Sequence, residues 1–509
     1  MHVCLSVDEI VRLIACELVA SKSKATTVAF AGCRKSFEDP ALDVLWGTQE
    51  ELLPLLKCLP GDVWNEGGYA VSTPTTWCSL SLNRFIRKAF KRFPTTPEWA
   101  RFRKYSRRMR KLGEDNVLDA LSSEVFSILQ LCAITEPLFP NIKTLDLMPT
   151  EKSILFVPLF LSPRTTTVSI KFSPSAPLPP TAMIASVIAT FPTLCPNLQE
   201  ITLVRPPRDP TTVATVSEML LAINRNALRH FHVFSPLTEE AREVIYALPD
   251  LCSLSVVIER GVSLPSAVLP NLTDLTIAYE HESDWLQIFR GAVFGPLETV
   301  TFASEQIANL LELFESVALA ASIQNTLSSF TILTACSWNP NYPSLHQFTQ
   351  LTYLAIAFSC DDGCSSTVDD DVVMNLARTM PKLETLDIGG HPCREIPIGV
   401  TAKGLVVLAH CCPGLSNLRI HFQVTSLSTP PAINGVTTNP WSASPRRGCA
   451  LGYLEVGHIP VSEESVAVVA LTLAHIFPHI TRIGCKDGNW LKVVNAICLA
   501  REVISCSSK

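Results

Sequence analysis

The chain has 509 residues, a net charge of −6, and 47% hydrophobic against 17% charged residues. This composition allows a large core and excludes a chain that is disordered throughout. The mean hydropathy is +0.26, but the longest apolar helical run, Val466 to Ile476, is much shorter than the roughly 20 residues that span a bilayer. No membrane partner is predicted.

The N-terminus does not predict a secretory signal, because Asp8, Glu9 and Arg12 interrupt any apolar segment there. The 18 cysteines are spread along the chain, mostly within apolar patterns. A thiol in such a pattern behaves as a small hydrophobic group, and disulfide-rich proteins are typical of oxidising compartments. We therefore expect a cytoplasmic or nuclear protein with reduced cysteines.

The first fifty residues predict a compact helical module. Apolar residues from Ile10 to Leu18 recur at helical spacing, which indicates an amphipathic helix. After a polar break, residues 28–47 read VAFAGCRKSFEDPALDVLWG. Leu42, Leu45 and Trp46 form an apolar cluster in this segment, and helical spacing alone fits internal core as well as a docking surface.

The segment 28–47 resembles an F-box, whose pattern is a helix, an L-x-x-C-R-x-F-like turn and then A-L-x-x-L-W. Ser6-Val7 stand where that family usually has Leu-Pro. The resemblance implies docking to a Skp-family adaptor of a cullin–RING (SCF-type) ubiquitin ligase. The residues that it assigns to the adaptor contact are Ile10, Ile14, Cys33, Phe37, Leu42, Leu45 and Trp46.

A strongly basic stretch follows, with twelve Lys or Arg and one acid, Glu98, between Arg84 and Lys111. Thr96-Pro97 is typical of a helix start, and residues 96–112 predict a helix with basic and apolar faces. The apolar face consists of Trp99, Phe102, Tyr105, Met109 and Leu112. We interpret the helix as the cap of a repeat array, because such a face would otherwise lie in water. Docking to an acidic protein and, less favoured, binding to nucleic acid or an anionic membrane are the alternatives.

From residue 140 onward the pattern L-x-x-L-x-L, with apolar substitutes, recurs along almost the whole chain. Its copies begin at Ile142, Leu198, Leu228, Leu251, Leu272, Leu297, Leu327, Leu351, Leu383, Leu415, Leu451 and Ile480, with a degenerate copy at Thr165. No copy can bury its apolar face alone, so neighbouring copies must stack as parallel strands. Uneven spacing and the absence of the asparagine found in regular leucine-rich repeats predict an irregular arc.

The whole chain is similar to fungal F-box proteins with irregular leucine-rich repeats, including at Pro97-Glu98-Trp99 and from Leu451 to Trp490. We therefore predict the α/β class, with a curved parallel sheet inside and helices outside. The predicted domains are an F-box-like helical module at 1–50, a helical connector and N-terminal cap at 51–135, and an irregular leucine-rich-repeat solenoid at 136–509. The Ser-, Thr- and Pro-rich segment 425–448 predicts a flexible surface loop.

Two clusters of potential metal ligands are interpreted structurally. Asp369-Asp370-Asp371 precede a segment with helical spacing at 372–380, where carboxylates suit a helix N-terminus. A second cluster lacks the paired C-x-x-C spacing of zinc sites; it consists of Cys360, Cys364, His391, Cys393, His410, Cys411 and Cys412. No nucleotide-binding or hydrolase motif occurs, so we expect no catalytic residue, metal, cofactor or small-molecule substrate.

In a repeat array of this kind, residues between the buried strand positions point to the concave face, where we expect a protein substrate of unknown identity to bind. The predicted partner-binding residues are His230, His232, Asp274, Tyr353, Asp387, Asn417, Arg419, His421, Tyr453 and Glu455. Aromatic residues and arginine are enriched in interface hot spots. The neighbouring charges at Asp387, Arg419 and Glu455 fit a partner contact or mutual pairing equally well.

The expected function is that of a substrate receptor in an SCF-type ubiquitin ligase, and not of an enzyme. A leucine-rich-repeat scaffold without a ligase role is the alternative. A nucleic-acid-associated protein that uses residues 84–111 is a third, less favoured hypothesis.

Overall fold

The computed structural model describes residues 7–21, 23–65, 89–113, 122–134, 136–174, 176–258, 268–279, 293–304, 317, 326–334, 347–358, 368–388, 399–428, 449–457, 459–485 and 488–507. The chain divides into two compact units, residues 1–251 and 252–509. Among the described residues, no helix has both the length and the apolar character needed to cross a membrane.

The first unit begins with three helices, α1 (Asp8–Ala20), α2 (Lys24–Gly32) and α3 (Lys35–Gly47). One alanine from each helix, Ala15, Ala31 and Ala41, forms their common core. Small side chains at these positions let the helices pack closely, and the rings of Phe30 and Phe37 stack beside them with centroids 5.0 Å apart.

The other elements of the first unit alternate between helices and short strands. In chain order they are β1 (Thr48–Gln49), α4 (Leu53–Leu56), a 3₁₀ turn (Gly61–Val63), β2 (Trp64–Asn65), β3 (Ala89–Phe90), α5 (Thr96–Ser106), β4 (Lys111–Leu112), α6 (Ser123–Cys132), β5 (Thr144–Leu147), a 3₁₀ helix (Ile154–Phe160), β6 (Thr167–Lys171), α7 (Thr181–Ile188), α8 (Phe191–Leu194), β7 (Glu200–Val204), α9 (Pro210–Ala222), β8 (His230–Val233) and α10 (Glu239–Tyr246). Its sheet has the order β1-β4-β5-β6-β7-β8, with all neighbours parallel. The strands β2 and β3 form a separate antiparallel pair.

The second unit continues the alternation. Its described elements are β9 (Ser253–Ile258), β10 (Val268–Leu269), β11 (Asp274–Tyr279), β12 (Val293–Phe294), β13 (Thr299–Ser304), β14 (Ser329–Thr334), β15 (Tyr353–Phe358), α11 (Asp370–Thr379), β16 (Thr385–Ile388), α12 (Ala402–Cys411), β17 (Asn417–Ile420), a 3₁₀ turn (Val424–Ser428), β18 (Tyr453–Gly457), a 3₁₀ turn (Glu463–Ser465), α13 (Val466–Ile476), β19 (Arg482–Cys485) and α14 (Asn489–Ser507). Its main sheet has the order β9-β11-β13-β14-β15-β16-β17-β18-β19, with all neighbours parallel. The strands β10 and β12 form a small parallel pair of their own.

Every predicted copy of the repeat forms a strand that begins two residues after the first residue of the copy. Ile142 thus precedes β5, which starts at Thr144, and Ile480 precedes β19, which starts at Arg482. Even the degenerate copy at Thr165 gives β6. The mixed α/β class with parallel strands and helices between them is therefore confirmed.

Side chains alternate along most strands between the core and an accessible face, which we call the open face. In β13, for example, Val300 and Phe302 are buried, whereas Thr299 and Thr301 are partly accessible. This period of two is the ordinary geometry of a strand. Strand β9 departs from it, because all of its residues are buried.

The predicted helix at 96–112 is shorter in the structure, since α5 ends at Ser106. Met109 and Leu112 are fully buried, but they lie beyond the helix, and Leu112 belongs to β4. The letters M-R-K-L at 109–112 match the first half of the repeat, so these residues take repeat positions, and pairing of β4 with β5 ends the helix.

The three aspartates 369–371 lie at the start of α11, as predicted. Asp369 accepts a hydrogen bond from the Val372 backbone N–H at 3.0 Å, which caps the helix. Of the predicted loop 425–448, the first residues belong to the 3₁₀ turn that ends at Ser428, where Leu427 is buried. Residues 429–448 lie outside the described residues.

Candidate functional site

The strand register of the second unit aligns alternate strand residues in straight rows. Most of them lie on the open face, whereas Ser253, Ser255 and Ala355 are buried. The first row consists of Ser253, Asp274, Thr299, Ser329, Tyr353, Thr385, Asn417, Tyr453 and Arg482. The second row, two residues along each strand, consists of Ser255, Thr276, Thr301, Thr331, Ala355, Asp387, Arg419, Glu455 and Gly484. Parallel neighbours in a row are about 4.8 Å apart, so the accessible residues on adjacent strands of a row lie side by side.

The predicted partner-binding residues of this unit lie in these rows. Asp274, Tyr353, Asn417 and Tyr453 belong to the first row, and Asp387, Arg419 and Glu455 belong to the second row. His421 directly follows β17. The predicted partner-binding residues of this unit are therefore concentrated on β15–β18. Most of the charged and aromatic members of the set lie there.

The charged residues of the second row are partly paired with each other. The Arg419 guanidinium lies 3.5 Å from the Asp387 carboxylate, and both side chains are accessible. On β18 the Tyr453 hydroxyl donates a hydrogen bond to the Glu455 carboxylate. This hydrogen bond, helped by partial burial, raises the pKa of Tyr453 above its ordinary value. An exposed pair such as Arg419–Asp387 contributes little to stability and can exchange its partner.

Gly484 makes room for the Glu455 carboxylate. It is paired with Glu455 in the register, and a Cβ atom at position 484 would collide with the Glu455 carboxylate and the Tyr453 hydroxyl. This glycine was not among the predicted site residues. A glycine at a strand position normally filled by a side chain is the sequence signal that indicates such a close approach.

His230 and His232 lie in the first unit, on the open face of β8. Their rings are stacked with centroids 6.5 Å apart, and the register pairs them with Glu200 and Thr202 of β7. They do not belong to the rows of the second unit.

The residues that the F-box resemblance assigns to adaptor binding differ in accessibility. Cys33 is exposed, and Ile10, Ile14, Leu42, Leu45 and Trp46 are half-buried. Phe37 has only 4% of its surface exposed and stacks on Phe30, so it holds helices together. Trp46 packs against Tyr105 of α5.

Two apolar residues that were not predicted are the most accessible ones of the module. Leu13 on α1 is 66% exposed and Val28 on α2 is 54% exposed. Leu13 belongs to the amphipathic pattern of α1. Its exposure could not be predicted, because spacing alone does not tell which residues of an apolar stripe face the core and which lie at its accessible edge.

The basic helix α5 and the residues after it are bound by acidic groups of the same unit. Arg108 contacts the carboxylates of Asp39 and Asp43 on α3. Other cations of this stretch also form ion pairs: Lys104 with Glu38, Arg103 and Arg107 with Glu136, and Arg92 with Asp62 and Glu98. These contacts support the structural interpretation of the helix over one in which its charges serve nucleic acid.

No cluster of three or more His, Cys, Asp or Glu suited to a metal is found among the described residues. Of the predicted cysteine and histidine cluster, His410, Cys411 and Cys412 are described, whereas Cys360, Cys364, His391 and Cys393 lie outside the described residues. Cys412 is buried, and burial raises its pKa to about 12. Such a thiol is a poor nucleophile at neutral pH.

The comparisons with known proteins give no family. No family model matches the chain, and no curated protein matches it. Among solved structures, a chain of the TLR13–ssRNA13 complex is 11% identical, with 75% of this chain and 50% of that chain covered and a TM-score of 0.36. A chain of the mouse RP105/MD-1 complex is 13% identical, with 75% and 59% covered and a TM-score of 0.33. The chain thus spans 50% and 59% of the length of these two structures.

The class of the protein follows from its own strands. Each copy of L-x-x-L-x-L supplies one parallel strand, in all but the last copy with its inward apolar residues buried, and helices occupy many of the intervening segments. This is the architecture of leucine-rich-repeat proteins.

Proposed function

We propose that the protein is a non-enzymatic receptor of a cytoplasmic or nuclear SCF-type ubiquitin ligase. The open face of the second unit binds a substrate protein, and the N-terminal helices bind a Skp-family adaptor. Such a receptor performs no bond chemistry of its own. It acts by raising the effective concentration of its substrate at the ligase.

The observation that supports the receptor function most directly is the composition of the open face on β15–β18. Tyr353 is 37% exposed, and the register places it in one row with Asn417 and Tyr453, beside Asp387 and Arg419 in the next row. Accessible aromatic residues next to exchangeable charges are typical of interface hot spots.

The adaptor part of the proposal depends on the F-box resemblance of residues 28–47 and on the accessible apolar residues of α1 and α2. Leu13 and Val28 have no structural need to be apolar, because more than half of each is in water. Exposed apolar groups on a small helical module suit docking to another protein.

The adaptor part is tested with purified full-length protein and a purified Skp-family adaptor. The wild type should co-elute with the adaptor in size-exclusion chromatography, and Leu13→Arg/Val28→Arg should not. The matched control is Leu471→Arg, which changes a leucine on α13 that is 60% exposed. If the wild type fails to bind the adaptor, or if the control loses binding equally, the adaptor part is wrong.

The substrate part is tested by affinity capture with quantitative mass spectrometry. Proteins that the wild type retains should be lost from Tyr353→Ala/Arg419→Glu but kept by Arg378→Glu, an exposed arginine on α11. Equal retention by all three proteins would contradict an open-face interaction.

A repeat scaffold without a ligase role is the second candidate function. It is favoured by the internal use of Phe37 and Trp46, which pack against Phe30 and Tyr105 in the same unit. Substrate capture through the open face together with no adaptor binding would distinguish this scaffold from the receptor.

A further inference from the structure

A row of residues crosses the first unit at the end where its strands begin. It consists of Arg110, Lys143, Thr166, Gln199 and Arg229, each directly before a strand, and we call it the pre-strand row. The backbone N–H of each member after Arg110 donates to the carbonyl of the previous member, at 2.7–2.9 Å. The five residues are therefore held side by side, about one strand spacing of 4.8 Å apart.

The equivalent positions of the second unit show what the fold itself requires there. Many are filled by Ser or Thr, whose hydroxyl donates to the backbone carbonyl of the preceding repeat. Thr273, Ser328, Thr352, Ser416 and Thr481 make this bond at 3.0–3.2 Å. Two further positions, Glu298 and Glu384, carry negative charge. Short hydroxyl side chains thus meet the structural need.

In the first unit only Thr166 follows that rule, with a bond to the Lys143 carbonyl at 3.3 Å. Lys143, Gln199 and Arg229 are exposed, and among the described residues no group accepts a hydrogen bond or ion pair from their side chains. Long polar side chains at these positions are therefore not explained by the packing of the repeats.

Arg110 of the row and Arg164, which is outside it, both carry positive charge at this edge. The Arg110 guanidinium donates to the Asn141 carbonyl at 3.2 Å, and the Arg164 guanidinium donates to the Asn141 side chain. No carboxylate belongs to the row. In a chain with a net charge of −6, the row and Arg164 form a local concentration of cations.

We propose that the pre-strand row, together with Arg164, binds an extended acidic segment of a partner protein. From Arg110 to Arg229 the row spans four strand spacings, roughly 19 Å, which is the length of about six extended residues. Carboxylates of such a segment accept charge-assisted hydrogen bonds from the arginines, and the Gln199 amide suits its backbone. The row contains no aromatic side chain on which a nucleic-acid base could stack, which favours a peptide.

The test is fluorescence anisotropy of the full-length protein with a labelled hexaglutamate peptide. The wild type should bind the peptide, more weakly at about 150 mM than at about 50 mM salt. Lys143→Glu/Arg229→Glu should weaken binding at least about tenfold, which corresponds to ~1.4 kcal/mol. Both residues are exposed, so the variant should fold, as circular dichroism would verify.

The matched control is Lys152→Glu/Lys403→Glu, which makes the same change in net charge at exposed lysines outside the row. It should keep the affinity within about twofold, because exposed charges that do not contact the peptide are screened by salt. Absence of peptide binding by the wild type, or equal losses in both double variants, would overturn the proposal. The proposal would also be overturned if the wild type bound an oligothymidylate probe more tightly than the peptide and Lys143→Glu/Arg229→Glu abolished that binding. This inference does not depend on the proposed adaptor contact, because adaptor co-elution is measured separately.

Discussion

Trp46 packs against Tyr105, with ring centroids 4.9 Å apart and ring planes inclined by 31°. Trp46 lies near the end of α3, two residues before β1, and Tyr105 lies near the end of α5, shortly before β4. Since β1 and β4 are parallel neighbours, the ring contact lies where the helical module meets the first strands of the repeat sheet. The tryptophan that the F-box resemblance assigns to an adaptor is thus also part of the internal packing.

Tyr105→Ala should lower the free energy of unfolding by about 2 kcal/mol, because it removes the ring contact with Trp46 and the apolar contacts of a half-buried residue. Tyr105→Phe keeps the ring and should lie within about 0.5 kcal/mol of the wild type. Urea unfolding followed by circular dichroism measures both. Equal stability of the two variants would show that the Trp46 contact contributes nothing.

Arg108 should contribute more to stability than Lys104, although both bind acids on α3. The Arg108 side chain is 14% exposed and lies between Asp39 and Asp43, whereas the Lys104–Glu38 pair is about half exposed on both sides. Arg108→Ala removes the cation between these two carboxylates and should cost roughly 2 kcal/mol, although Asp43 keeps its ion pair with Arg12. Lys104→Ala should cost less than about 1 kcal/mol. Thermal unfolding of the two variants would contradict this order if Lys104→Ala were the less stable.

Glu98 makes the first unit sensitive to acid. Hydrogen bonds from the Arg92 guanidinium, and then from the Thr95 backbone N–H, lower its pKa from 4.5 to about 2. Because the folded-state pKa is lowered, this stabilisation is fully present above pH 4.5 and is lost as the pH falls towards 2. The difference in stability between the wild type and Glu98→Gln should therefore shrink over that interval.

Thermal unfolding at a series of pH values measures the Glu98 effect. The control is Glu464→Gln, which changes an exposed glutamate without an ion pair among the described residues. A difference between wild type and Glu98→Gln that stays constant from pH 4.5 to about 2 would contradict the assignment.

The sequence predicted the strands well because their physical cause is local. An L-x-x-L-x-L copy needs only its own apolar residues and a similar neighbour to become a parallel strand, and each copy from Ile142 to Ile480 did so. The open-face positions of Tyr353 and Arg419 follow from the same period of two.

The contacts between distant segments were not predictable, because they depend on which helices meet. Nothing in the spacing of Met109 and Leu112 separates a helical face from a truncated repeat until β4 pairs with β5. The acidic partners of Arg108 lie on α3, 65 and 69 residues earlier in the chain. The accessibility of Leu13, likewise, is decided by the way α1 packs against α3.

Asp370 should stabilise the second unit more than its neighbour Asp371, because it caps the helix of the next repeat. Its carboxylate accepts hydrogen bonds from the Thr401 N–H at 2.8 Å and the Gly404 N–H at 3.1 Å, at the start of α12. Asp370→Ala leaves these donors without an acceptor and should cost about 1–2 kcal/mol. Asp371→Ala, at an exposed position, should be nearly neutral and is the matched control. Equal melting temperatures for the two variants would contradict a cap between repeats.

The pairing of Tyr453 with Glu455 gives the open face a measurable signature. The hydroxyl of Tyr453 donates to the Glu455 carboxylate, and the negative charge disfavours the phenolate, so the pKa of Tyr453 is raised. Glu455→Gln should lower that pKa towards the ordinary value of 10, and Gly484→Ala should do the same by displacing the carboxylate. Ultraviolet titration, with Tyr453→Phe subtracted to isolate this residue, measures the change. If Gly484→Ala leaves the pKa of Tyr453 raised while Glu455→Gln lowers it, the glycine does not position the carboxylate.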